Sequence, residues 1–180
     1  MFGFGMARVI NATHTSQIQL MGLFRSSPVL GIAEETLEFV LETCADTHPN
    51  EFMGLLRAEE SSRLKFRGAN PGKGRVITDI LVIPGTESGE AMATLKGDMI
   101  PTNVGGLGTV HSHPSGSTRP SNEDLRTFSK KGVRHIIVAS PYDRSSWQCY
   151  NSKGEPVNLP VLEVEFDDEN PFEPENTGFF

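Results

Sequence analysis

The chain has 180 residues, a hydrophobic content of 37% and a net charge of −7 at pH 7. Length and apolar content suit one domain of ordinary size with tails, and exclude collagen-like or wholly disordered chains. An acidic balance argues against a general nucleic-acid binder, whose affinity would come from Lys and Arg on phosphates. No run of about eighteen apolar residues is present, so no membrane span is expected.

Residues 1–29 are weakly periodic and end in Ser26-Ser27-Pro28, so they read as an extension, with one short strand around 16–23. Without a basic region followed by a long apolar core, the N-terminus does not read as a secretory signal. The expected compartment is therefore the cytoplasm. There, the only two cysteines, Cys44 and Cys149, are free thiols by default. Residues 33–45 read as a helix, because Leu37, Val40, Leu41 and Cys44 recur at three- and four-residue spacing behind two glutamates. Strands are expected over 51–58, 63–66 and 75–83. A Gly-rich connection then runs to Gly108, with one short helix over 91–95.

Further strands are expected over 107–111, 133–139, 147–150 and 161–166, with a helix over 121–130. The irregular alternation suits an α/β or α+β domain around one mixed sheet, spanning residues 30–166. From Gly154 to the C-terminus there are eight acids and no Lys or Arg, so the rest of the chain is near neutral. Residues 167–180 read as a flexible acidic tail whose simplest role is solubility.

The chemistry is concentrated in His111-Ser112-His113-Pro114 and Ser121-Asn122-Glu123-Asp124. Two histidines two apart on a strand place both imidazoles on one face. A helix starting at Ser121 can return Asp124 to that face. Two imidazoles and one carboxylate leave a fourth position open, the ligand count of a catalytic zinc. Iron is the competing metal, since the same set describes the facial triad of iron oxygenases. Ser121-x-x-Asp124 also spells a helix capping box, and that role competes with a metal for the carboxylate. Glu51 stands among apolar strand residues and is a candidate for burial near a cation. On spacing alone it reads as an exposed residue at a strand start.

His111-Ser112-His113-Pro114, followed by Ser121-x-x-Asp124 and preceded by Glu51-x-x-Gly54-Leu55-Leu56, resembles the JAMM motif of the MPN-plus metalloproteases. The sequence around it is most similar to the short archaeal members, and the resemblance covers residues 34–150. It implies a curved mixed sheet flanked by helices, similar to the cytidine deaminases. It implies one zinc per chain held by His111, His113 and Asp124. Glu51 would be the general base and then the acid for a zinc-activated water, and Ser121 would hydrogen-bond the oxyanion. The implied reaction is hydrolysis after the C-terminal glycine of ubiquitin or a ubiquitin-like modifier. The tail of that modifier would lie extended beside a strand edge. Two alternatives stay open: a hydrolase of a small peptide or sulfur-carrier substrate on the same site, and a non-enzymatic MPN interaction module. Outside the motif, His14 and His48 read as solvent-facing, His135 as packed or surface, and Trp147 as core.

Overall fold

The computed structural model describes residues 27–82 and 106–166. The expected strand near 16–23, the helix near 91–95 and the acidic tail lie outside the described residues. A strand β1 (Val29–Ala33) leads directly into helix α1 (Glu34–Thr47). Strand β2 (Met53–Glu60), a single 3-10 turn (Ser61–Arg63), β3 (Lys65–Phe66) and β4 (Arg75–Val82) follow. The second half holds β5 (Gly108–His113), α2 (Asn122–Phe128), β6 (Arg134–Ala139) and β7 (Trp147–Tyr150). Short strands β8 (Pro156–Val157), β9 (Val161–Leu162) and β10 (Val164–Glu165) end it.

One mixed, curled sheet has the order β8-β7-β6-β5-β2-β4-β1-β9, and β10 pairs separately with β3. The central β5 runs antiparallel to β2 and parallel to β6. Among the described residues, one helix covers each face. On the first face, α1 buries Leu37, Val40, Leu41 and Cys44 against Ile32, Leu56, Ile77, Val110, Ile136 and Val138. Full burial of each Leu, Val or Ile there contributes about 1.5–3 kcal/mol. On the second face, α2 inserts Phe128 against Ile137 and Tyr150. The alternation of Ile136 and Val138 toward α1 with Ile137 toward α2 shows the two-residue period of a strand buried on both sides.

The N-cap of α1 is Ala33, which has no capping side chain. The first turn is anchored instead by Thr36, whose hydroxyl donates to Thr78 O on β4 at 2.8 Å. Two strands differ from expectation. Residues 29–33, between the expected extension (1–29) and helix (33–45) and given no strand from sequence, form β1, which lies between β4 and β9. Gly31 hid this strand, and it is required there: a Cβ would lie 2.4 Å from Pro160 O on the segment leading into β9. The expected strand over 161–166 is two short ones, β9 in the main sheet and β10 on β3. Cys44 and Cys149 are both buried in the α1-side core as free thiols, as expected. Trp147 packs against the same core. Among the described residues no helix is long and apolar enough to cross a membrane.

Candidate metal centre

Strand β5 carries the histidines. It extends two residues beyond the expected end, to His113, because β6 pairs with it along its whole length. His111 lies opposite Met53 of β2 and Ile137 of β6, so both of its strand neighbours fix its backbone. The period of two sends His111 and His113 to the α2 face and Ser112 to the α1 face. Ser112 stitches β5 to the segment before β2. Its N–H donates to Phe52 O at 2.9 Å, and its Oγ accepts from Phe52 N–H at 2.8 Å.

Residues 114–120 loop out and return to Ser121, the N-cap of α2. The loop is held by Tyr150, whose hydroxyl donates to Thr118 O at 2.8 Å. A reciprocal capping box starts the helix: Asp124 N–H donates to Ser121 Oγ at 3.1 Å, and Ser121 N–H donates to Asp124 Oδ2 at 2.6 Å. The box and the histidine cluster share the carboxylate rather than compete for it. Asp124 Oδ1 faces His111 Nε2 at 3.0 Å, while Oδ2 takes the cap and lies 3.5 Å from His113 Nε2. The cap uses an acceptor lone pair of Ser121, and the Ser121 hydroxyl also helps hold the Asp124 carboxylate ionised.

The three side chains meet as one donor set, with one ligand atom from each lying within 4.8 Å of the others. His113 Nδ1 is 2.8 Å from Ser117 O. A carbonyl can only accept, so Nδ1 carries the hydrogen and a neutral ring offers Nε2 as a lone pair. That lone pair lies 3.1 Å from His111 Nε2, and both nitrogens face a carboxylate that is 2% exposed. Electron-rich atoms this close repel unless a proton or a cation stands among them. Two imidazole nitrogens, a carboxylate and the Ser117 carbonyl that fixes the His113 tautomer fit a borderline divalent cation such as zinc. Burial alone would push the Asp124 carboxyl up, but hydrogen bonds from His111 and His113 outweigh it and hold the group well below the usual carboxylate range. The Asp124 hydrogen bond raises the His113 imidazolium above its ordinary pKa against the opposing effect of burial.

Glu51 is exposed and lies two residues before β2 rather than inside a strand. Continuing the Met53–His111 register by two residues sets Glu51 opposite His113. Its charge is felt there, adding to the upward shift of His113. The five motif residues thus come to one end of the central sheet, with His111 and Asp124 buried, His113 half-buried, and Glu51 and Ser121 open to solvent.

Sequence reasoning missed the supports. Ser117 acts through its backbone carbonyl, which leaves no mark in residue identity. Phe128 stacks on His135 with ring centroids 4.1 Å apart and also approaches His111 at 6.4 Å. His135 is fully buried, and its Nδ1 bonds Thr109 Oγ1 at 2.9 Å. Burial, helped by the nearby His111, lowers its pKa to about 4. The packed reading of His135 is therefore the one observed.

Residues 33–150 match the family model described as prokaryotic homologs of the JAB domain. The chain belongs to this family. It is 46% identical over 152 residues to a probable metalloprotease of Haloferax volcanii, a match covering 84% of this chain and 91% of that protein. Two solved structures share the architecture. One, described as JAMM, a metalloprotease-like zinc site in the proteasome and signalosome, is 35% identical with a TM-score of 0.53, covering 76% of this chain and 100% of its own. The other, a JAB1/MPN domain protein from Archaeoglobus fulgidus, is 37% identical with a TM-score of 0.52, covering 74% and 99%. The curled mixed sheet with two helices is the JAB/MPN fold, and the chain is a member of the JAMM-type metalloprotease family.

Proposed function

We propose that the protein is a zinc-dependent isopeptidase that hydrolyses the bond after the C-terminal glycine of a ubiquitin-like modifier. The observation that carries this reading is the convergence of His111, His113 and Asp124 into one three-ligand set beside Glu51. Those three residues would hold one zinc, which when bound lowers the pKa of water toward about 7 and polarises a carbonyl. Glu51, solvent-reached and opposite His113, accepts the proton of the attacking water and delivers it to the leaving amine. Ser121, whose hydroxyl can turn from the Asp124 carboxylate, donates its hydroxyl hydrogen to the oxyanion. Asp124 keeps its negative charge throughout, and its cap fixes where that charge sits. His113 is held in one tautomer by Ser117.

A place for an extended tail supports the modifier as substrate. Strand β4 pairs with β1 only as far as Ile77, whereas β2 continues along its other side to Val82. Among the described residues, Asp79–Val82 therefore present an open edge, with Leu81 and Val82 exposed. Val82 lies opposite Gly54, next to the Met53–His111 pair, so this edge ends near the metal centre. A glycine-ended strand can pair there and bring its last carbonyl toward Glu51.

The test combines elemental analysis with cleavage of a modifier fused through its terminal glycine to a reporter. About one zinc per chain, lost in His113→Ala, and cleavage abolished in Glu51→Gln with zinc retained are the expected results. Undiminished cleavage by Glu51→Gln would sink the mechanism. Cleavage of short peptides alone would move the substrate assignment away from modifiers.

A further inference from the structure

Glu51 is open to solvent and lies outside regular structure, yet a proton carrier needs a fixed position. Two anchors bracket it. On its C-terminal side, Phe52 is bound in both directions to Ser112. On its N-terminal side, His48 and Tyr142 share a hydrogen bond of 2.9 Å between Nδ1 and the phenol oxygen. Their rings also meet edge to face at 5.8 Å. His48 is solvent-facing, as expected from sequence, and is also engaged by Tyr142.

Tyr142 is well placed for such a role. It stands at φ 64°, a left-handed conformation that bulky residues hold only where neighbours enforce it. Its N–H donates to Ala139 O at 2.8 Å, and the preceding Ser140 N–H donates to His113 O at 3.3 Å. Its ring packs on the edge of the α1-side core. Two residues further on, Arg144 bonds Glu34 and Glu38 of α1. The loop that carries Tyr142 is thus tied both to the helix that ends at His48 and to the strand end that holds His113.

We propose that the His48–Tyr142 contact is a clasp that positions the 48–52 segment, and with it Glu51, beside His113. Both anchors of the segment lead back to Ser112 and His113, so the carboxylate and the metal ligands are held in one closed ring of contacts. His48 and Tyr142 are positioning residues and touch no reacting atom. The proposal rests on the reading of Glu51 as the proton carrier.

The experiment compares Tyr142→Phe, His48→Ala and His48→Asn with wild type. The asparagine amide occupies the place of Nδ1, so His48→Asn keeps the clasp. Hydrogen exchange is followed at amides 50–52, alongside turnover of the glycine-linked modifier fusion, zinc content and thermal midpoint. Tyr142→Phe and His48→Ala should speed exchange and lower kcat at least fivefold. KM should stay within twofold, and zinc content and the melting temperature should be unchanged. His48→Asn should restore both exchange and kcat. Unchanged exchange in Tyr142→Phe and His48→Ala overturns the clasp, and faster exchange with wild-type kcat overturns its positioning role. If wild type cleaves no modifier fusion at all, the functional reading fails, and the exchange result alone decides whether the clasp holds the segment.

Discussion

The two faces of the central sheet are built from the same strands and have opposite chemistry. Toward α1, β5 and β6 present Val110, Ser112, Ile136 and Val138 to an aliphatic core that also takes in both thiols. Toward α2, the alternate positions present Thr109, His111, His113 and His135, under a short helix whose buried residues are Asp124 and Phe128. The first face is held by apolar area, the second by hydrogen bonds and charge around one buried ring, Phe128, on Ile137 and Tyr150. A seven-residue helix contributes little stability of its own. The fold can place a polar cluster under α2 because α1 supplies a conventional core on the other side.

The contrast is broken most sharply by substitutions that touch only one face. Asp124→Ala removes one side chain of the candidate metal set and one half of the α2 capping box, leaving the Ser121 cap in place. The expected result is loss of bound metal and at least a thousandfold loss of turnover, while stability falls by only about 1 kcal/mol for the cap. Elemental analysis, a cleavage assay and urea unfolding, run on one preparation, check it. Leu37→Ala on the α1 face should do the reverse. It should cost about 2–5 kcal/mol in urea unfolding yet leave metal stoichiometry and kcat near wild type at 25 °C. A large loss of metal in Leu37→Ala would mean that the core, and not the local hydrogen bonds, sets the ligand geometry.

Sequence legibility followed the same division. The α1 face announced itself through the spacing of Leu37, Val40, Leu41 and Cys44, and the helix runs from Glu34 to Thr47 as that spacing requires. The candidate metal cluster was legible because His111, His113 and Asp124 are close in sequence and a strand-loop-helix brings them together. What stayed hidden acts through backbone or distance. Ser117 contributes a carbonyl, Phe128 supports His135 across the sheet face, and β1 was hidden by a glycine that the segment at Pro160 demands. The Glu51 strand was read two residues too early, since pairing with β4 and β5 begins only at residues 53–54.

His135 gives the α2 face a pH signature that the α1 face lacks. Its imidazole has a folded pKa of about 4 against an ordinary value of 6.5. The unfolded chain therefore binds a proton between these values that the native chain refuses, so stability rises with pH across that window. The contribution is fully present above about 6.5 and is lost as pH falls toward about 4. At ~1.4 kcal/mol per pH unit the loss is roughly 3 kcal/mol. Urea unfolding of chelator-treated wild type and His135→Gln at several pH values isolates it as a difference in slope. Equal slopes would mean that the ring takes up its proton in the folded state.

The smallest effect is expected at the thiols, and it asks whether the faces are independent. Burial pushes Cys44 up to about 12, against a hydrogen bond with Ser112 that lowers it, and burial pushes Cys149 up to about 11. At pH 8 a thiol of pKa about 12 is about one part in ten thousand thiolate, so alkylation must wait for opening of the core. Ser112 makes the comparison sensitive, because it stands between His111 and His113 and its side chain also pulls the Cys44 pKa down. If the faces are independent, stripping the metal leaves the iodoacetamide rate of Cys44 within about twofold, and Cys149 behaves alike. A rate at Cys44 that climbs on chelation while Cys149 stays protected would show that strain at the ligands passes through Ser112 into the α1 core. Mass spectrometry of the alkylated peptides separates the two.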